Sequence, residues 1–176
     1  MDDTSTHTLL LALVVFLVIS GFFSVAETSM MALNRYRLKH LVKTGHRGAR
    51  LTAQLLARPD RLLGVVLLGN NLINAASAAL VTYLTFRFFG ESELALSAAT
   101  LIVTFVILVF SEITPKVIGA TYPEKIAFPA AFVLTPLLRL AYPIVWFVNL
   151  FVSGLLRLAR LKPGMDAQGQ KLTLEE

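Results

Sequence analysis

The chain contains no cysteine, which excludes disulfides, thiolate metal centres and cysteine nucleophiles together and leaves the redox compartment undetermined. Charge is nearly as scarce. Asp, Glu, Lys and Arg make up 15% of the 176 residues, against about 25% in soluble domains, too few to cover a water-facing surface. Catalytic signatures are missing too: there is no HExxH, no GxSxG, no pair of intramembrane aspartates and no glycine-rich phosphate loop. Ser24 has no base within reach by sequence, so an enzyme is not expected. No repeat of 20 to 50 residues and no low-complexity tract is present either. What fills the chain is apolar: 56% hydrophobic residues and a mean hydropathy of +0.70. Apolar runs of 18 or more residues with few charges read as bilayer spans. This is the composition of a membrane protein.

The cations are not spread evenly. Of the 16 Lys and Arg, Arg35, Arg37, Lys39, Lys43, Arg47, Arg50, Arg58 and Arg61 all fall between the first two apolar runs. Basic charge in that position marks a cytoplasmic loop under the positive-inside rule, and argues for a lipid-facing loop rather than a nucleic-acid surface. The first run, Leu9 to Val25, follows a leader, MDDTSTH, with two acids and no Lys or Arg. That is the opposite of a signal-peptide n-region, so Ser24-Val25-Ala26 is not read as a cleavage box. An uncleaved span with its N-terminus outside is expected. Within the loop, Leu38, Leu41 and Val42, then Leu51, Leu55 and Leu56, recur at helical spacing with Gly45 and Gly48 between them. Two short amphipathic helices on the inner membrane face are predicted. The second run, Leu62 to Phe89, crosses outward to an acidic turn, Gly90-Glu91-Ser92-Glu93. The third, Leu94 to Phe110, returns and ends in Ser111-Glu112-Ile113-Thr114-Pro115-Lys116.

The stretch from Ile126 to Leu161 is harder to place. As one helix its residues would extend roughly 54 Å, well past a hydrocarbon core of about 30 Å. Pro129, Pro136 and Pro143 fall every seven residues, and Arg139 lies mid-way. A fourth crossing would put Arg157, Arg160 and Lys162 outside, against the charge rule. The preferred reading is a Pro-bent helix wrapping the bundle near the inner interface, with Arg139, Tyr142 and Trp146 as anchors; a fourth span is the alternative. Pro163-Gly164 and the polar residues after them read as a linker.

An ionisable or strongly polar side chain inside a bilayer is costly, about 2.5–3.5 kcal/mol for a charge even on the lenient scale, and is a functional hypothesis by default. Three clusters qualify: Ser20, Ser24, Glu27 and Thr28; Asn70, Asn71 and Asn74; Ser111, Glu112, Thr114 and Lys116. The first four share one helical face, as do Asn70 and Asn74, with Asn71 to the side. By helical rise all three clusters can meet in the inner half of the bilayer. Their donors are hydroxyls, amide oxygens and one carboxylate, hard oxygens that suit Mg²⁺, Ca²⁺ or Na⁺ and disfavour zinc or copper. Pro115 denies the Ser111 carbonyl its usual helical bond, which would add a backbone oxygen. The competing readings are structural. Ser20 and Ser111 suit close helix packing, Asn residues can bridge helices, Glu112 and Lys116 can pair at i, i+4, and Glu27 can snorkel to the interface. His7, His40 and His46 are assigned no role.

The segments GFFSVAETSMMALNRYRLKHL, RPDRLLGVVLLGNNLINAASAAL and VFSEITPKVIGATYPEKIA, in that order and spacing, resemble the transmembrane domain of the CNNM/CorC family of magnesium transporters over about residues 8 to 160. The resemblance implies an all-α membrane protein with three transmembrane helices, short cytoplasmic-face helices and a juxtamembrane belt helix. The transmembrane domain is then 1–161, with spans at about 8–33, 61–89 and 93–119 and the belt at about 125–161. Residues 162–176 become a linker toward a cytoplasmic CBS-pair region that would bind ATP. A homodimer in a bacterial inner membrane is implied, with the N-terminus outside and the C-terminus cytoplasmic. So is Na⁺-coupled Mg²⁺ export, with Mg²⁺ as the transported substrate, Na⁺ as the coupling ion and no nucleic-acid partner. Carried onto this sequence, the family's dehydrated Mg²⁺ site falls on Ser24 and Thr28, Asn70 and Asn74, and Glu112. The alternative is a membrane anchor and dimerisation module for a cytoplasmic Mg²⁺ sensor, in which the same polar residues hold helices together.

Overall fold

The computed structural model describes residues 6–158, and all of its regular structure is helical. Three helices are long and apolar enough to cross a membrane. The first is α1 (Thr6–Met31), and the second is α4 (Pro59–Phe89). The third is a continuous rod of 29 residues made of α5 (Glu93–Val106), a π-helical segment (Ile107–Ile113) and α6 (Thr114–Thr121). Between the first two lie the short helices α2 (Arg35–Lys43) and α3 (Arg47–Leu56). The last helix is α7 (Pro123–Leu158).

The helix starts follow local chemistry. The Asn34 side chain accepts from the backbone N–H of Tyr36 and Arg37 and begins α2. Ser92 accepts from Ala95 and begins α5. Proline opens α4 and α7 at Pro59 and Pro123, a position where the missing N–H would have no helical partner anyway. His46, given no role above, accepts the Ala49 N–H on Nδ1 and caps α3; its ring also stacks at 4.9 Å on Phe128.

α1 is the axis of the bundle. Along it pack α4, α6 and the π segment, while α5 packs on α4. At one end of the bundle, α2 and α3 form a hairpin whose buried Leu38, Ala49, Leu55 and Leu56 join Ala127, Ala130, Ala131 and Leu134 of α7 in one apolar cluster with Met30 and Leu33. The Thr52 hydroxyl donates to the Ala127 carbonyl at 3.3 Å, and Arg37 pairs with Glu124 at 2.7 Å. Two amphipathic helices in the basic loop are therefore present, with their apolar faces turned onto α7.

α7 runs unbroken for 36 residues, so Pro129, Pro136 and Pro143 sit inside a helix without ending it. Residues 139 onward form a separate unit, in which the helix continues to Leu158. The side chains of Tyr142 and Trp146, and the proposed linker at 162–176, lie outside the described residues.

Candidate functional site

Two glycines set the helix spacing at the site. A Cβ at Gly119 would come within 2.7 Å of the Val25 carbonyl oxygen and 3.1 Å of the Ser29 nitrogen, so α6 lies directly against the backbone of α1. A Cβ at Gly69 would lie 2.9 Å from the Phe23 ring, which nests on α4 one residue before Asn70. Small residues that let membrane helices approach this closely gain packing that lipid tails cannot supply.

At this close crossing three side-chain oxygens converge. The Ser20 Oγ lies 2.6 Å from the Asn70 Oδ1 and 2.7 Å from the Asn74 Oδ1. Ser20 is fully buried and Asn70 is 7% exposed. Asn71, by contrast, faces outward, as its offset from the Asn70–Asn74 face requires. A serine hydroxyl carries one proton and can donate to only one of the two amide oxygens. The other amide oxygen faces the hydroxyl oxygen with no proton between them, and two facing acceptors repel. A cation among the three oxygens removes that deficit. Turning one amide end for end removes it as well.

One turn along α1, Ser24 is also fully buried, and its hydroxyl points at the Glu112 backbone carbonyl at 3.4 Å, a long contact by hydrogen-bond standards. The Ser111 hydroxyl donates to the Leu17 carbonyl at 3.1 Å and fastens the π segment to α1. The structure thus brings Ser20, Asn70 and Asn74 together and places Ser24 beside the Glu112 main chain. The Glu112 side chain is half-buried with no partner among the described residues, and Lys116 is exposed and does not pair with it. Thr28 lies against Gly119, and its hydroxyl makes no contact with the oxygen cluster. Ser20, a member of the first polar cluster that was left out of the Mg²⁺ ligand set implied by the resemblance, is the centre of that cluster. The signal was its position one turn before Ser24 on the same face.

Glu112 lies at the end of the π segment and Lys116 in α6, and their side chains do not pair. The last i→i+5 bond of the π segment runs from the Thr114 N–H to the Val109 carbonyl. Pro115 follows and has no N–H, so neither the Phe110 nor the Ser111 carbonyl can be served from that position. Proline removes one donor, which would serve the Ser111 carbonyl at i+4 spacing or the Phe110 carbonyl at i+5 spacing. The Phe110 carbonyl lies against Gly21 of α1.

Toward the acidic turn the bundle changes character. A cavity of about 320 Å³ between α1, α4 and α5 is lined by Leu13, Leu17, Leu84, Phe88, Val103 and Val106 among others. The one side-chain hydroxyl in that lining, on Thr85, donates to the Val81 carbonyl at 2.8 Å, and the other lining side chains are apolar. No group of three or more His, Cys, Asp or Glu that could hold a metal exists among the described residues, so any cation here would rest mainly on neutral oxygens.

Comparison with known proteins decides the family. The model of the cyclin M (CNNM) transmembrane N-terminal domain matches residues 11–176. The chain belongs to the CNNM family. It is 46% identical over 158 residues to the "UPF0053 inner membrane protein YfjD" of Escherichia coli, covering 90% of this chain and 36% of that protein. A "UPF0053 protein" of Haemophilus influenzae is 41% identical over 176 residues, all of this chain and 41% of the relative. A more distant relative from the same organism, 27% identical over 166 residues, 88% of this chain and 38% of that protein, is named "Polyamine export protein". The chain therefore spans roughly two-fifths of the length of these curated relatives. As a CNNM-family chain with three apolar spans, it is a multi-pass membrane protein.

Proposed function

We propose that this chain is the membrane domain of a Mg²⁺ transporter, with Na⁺-coupled export as the mode of transport. The observation that carries the reading is the buried Ser20–Asn70–Asn74 cluster, where one hydroxyl proton faces two amide oxygens at 2.6 and 2.7 Å. Such a set of hard neutral oxygens suits a cation of the Mg²⁺ class. Ser24, a carbonyl left without a donor by Pro115 and the Glu112 carboxylate extend the set along α1 and the third span, and Thr28 lies one turn beyond. A single carboxylate leaves a divalent ion under-neutralised, which keeps binding weak enough for release. The apolar lining on the Gly90 side disfavours an ion path there and supports access from the basic end, which the positive-inside rule assigns to the cytoplasm. Family membership and a relative named for export support a transport-related role. A homodimer and a regulatory region beyond residue 176 complete the proposal.

Two other readings have specific support. Ser–Asn hydrogen bonds between spans are what a non-transporting anchor would use as helix glue, and an amide turned end for end would satisfy Ser20 without any ion. The relative's name raises polyamines as an alternative cargo, since ammonium groups also seek hydroxyl, amide and carboxylate oxygens. The experiment is flux of the full-length protein in liposomes, with Mg²⁺ or spermidine as cargo and with and without a Na⁺ gradient. Mg²⁺ flux that depends on the gradient and is lost in Asn70→Ala and Glu112→Ala supports the proposal. Normal Mg²⁺ flux in both variants ends the site assignment, and spermidine flux alone replaces the cargo. If neither cargo moves and Mg²⁺ gives no protection against heating, the anchor reading stands.

A further inference from the structure

We infer a binding site for an anionic phospholipid in the groove between α2 and α3, independent of the transported ion. The groove has a volume of about 420 Å³, with a floor of Leu38, Val42 and Leu56 and a rim of Arg35, Lys39 and Lys43. The three cations stand at i, i+4 and i+8 on one face of α2. All three are exposed and none has an ion-pair or hydrogen-bond partner among the described residues. Arg37, on a different face, is the cation that reaches Glu124. Between Glu27 and Asp60 the chain has no acid at all, so nothing local neutralises the rim.

Depth favours a lipid over a soluble anion. Arg35 follows the last residue of α1, Met31, by four positions, a reach of at most about 14 Å. The other wall of the groove ends at Ala57, two residues before α4 begins at Pro59. Both walls thus start where spans leave the hydrocarbon, which is the headgroup layer. Tyr36, 85% exposed beside the rim, suits the same layer, where amphipathic aromatic rings collect. An apolar floor below three unpaired cations matches one molecule in both parts: a phosphate for the rim and the first methylenes of an acyl chain for the floor. A free phosphate would use only the rim.

The test is native mass spectrometry of the full-length protein in detergent with phosphatidylglycerol or phosphatidylcholine, alongside thermal melting with each. Phosphatidylglycerol should be retained and should raise the melting temperature, whereas phosphatidylcholine should not. The triple variant Arg35→Ala/Lys39→Ala/Lys43→Ala should lose affinity on the order of 100-fold, since each juxtamembrane cation contributes about fivefold. Arg47→Ala/Arg50→Ala, which removes exposed charge outside the groove, should bind as the wild type does. Val42→Asp, which keeps the rim and spoils the floor, should bind phosphatidylglycerol weakly. Equal retention by the triple variant overturns the site, as does equal protection of the wild type by inorganic phosphate. If the protein's own acidic segments filled the groove, phosphatidylglycerol would neither bind nor protect, and that outcome overturns it too. None of these readouts involves Mg²⁺, so failure here leaves the transport proposal standing and the reverse also holds.

Discussion

The region around α2, α3 and α7 and the membrane spans bury different shares of polar side chains. Around α2, α3 and the first half of α7 the interior is Leu38, Ala49, Leu55, Leu56, Ala127, Ala130, Ala131 and Leu134, with Arg and Lys turned outward, as in a water-soluble domain. Along the spans the fully or nearly buried residues include Ser20, Ser24, Ser29, Asn70, Ser77, Thr85 and Ser111, while Leu11, Val18, Leu72, Leu101 and Phe105 face outward. The cause is the solvent on the other side. Water rewards hiding apolar groups, whereas hydrocarbon gives helices no such reason to associate and instead penalises polar groups left facing it. A buried hydroxyl is therefore unremarkable at neither end: near α7 it needs a special reason, and in the spans it shows which faces look inward.

The comparison can be broken most severely where the spans touch. Gly119→Leu would drive a side chain into the α1 backbone at Val25 and Ser29. It should cost about 3 kcal/mol, read as a collapse of the melting temperature in detergent. Next in size is Asn70→Ala. It should abolish Mg²⁺ flux and any Mg²⁺-dependent thermal shift, yet lower stability by only about 0.6–1.7 kcal/mol, the range for interhelical hydrogen bonds in membranes. A large stability loss with flux retained would mean that the polar interior is glue. At the α2–α3 end, His46→Ala removes the α3 cap and should cost about 1 kcal/mol, while His46→Asp should restore most of it; melting curves of the three proteins decide. Smallest is Arg37→Ala. Its side chain is 69% exposed, and a screened surface pair of that kind is worth about 0.5 kcal/mol or less, so an unchanged melting curve is expected.

How far the sequence could be read depended on what each feature rests on. Three spans and two amphipathic helices were legible because hydropathy and 3.6-residue periodicity carry them directly. The Asn70–Asn74 face was legible for the same reason, and the structure adds Ser20 as its third oxygen. Sequence places Ser20 in a polar cluster but leaves packing open as its role, because one serine in a span looks the same whether it packs or faces an amide; only the α1–α4 crossing separates the two. The π segment was invisible, since a surplus residue per turn leaves no mark on composition. The three prolines of α7 do not interrupt the helix, and Ala127, Ala130, Ala131 and Leu134 pack its first half onto α2 and α3. His46 was passed over because imidazole is an uncommon N-cap, and its ring is fixed by Phe128, 82 positions away.

The Ser20–Asn70–Asn74 oxygens have one more consequence. Hydroxyl and carboxamide groups do not gain or lose protons anywhere near physiological pH. A cation held by them would keep all three ligands through an acid swing, so the cluster itself gives acidity no handle on the ion.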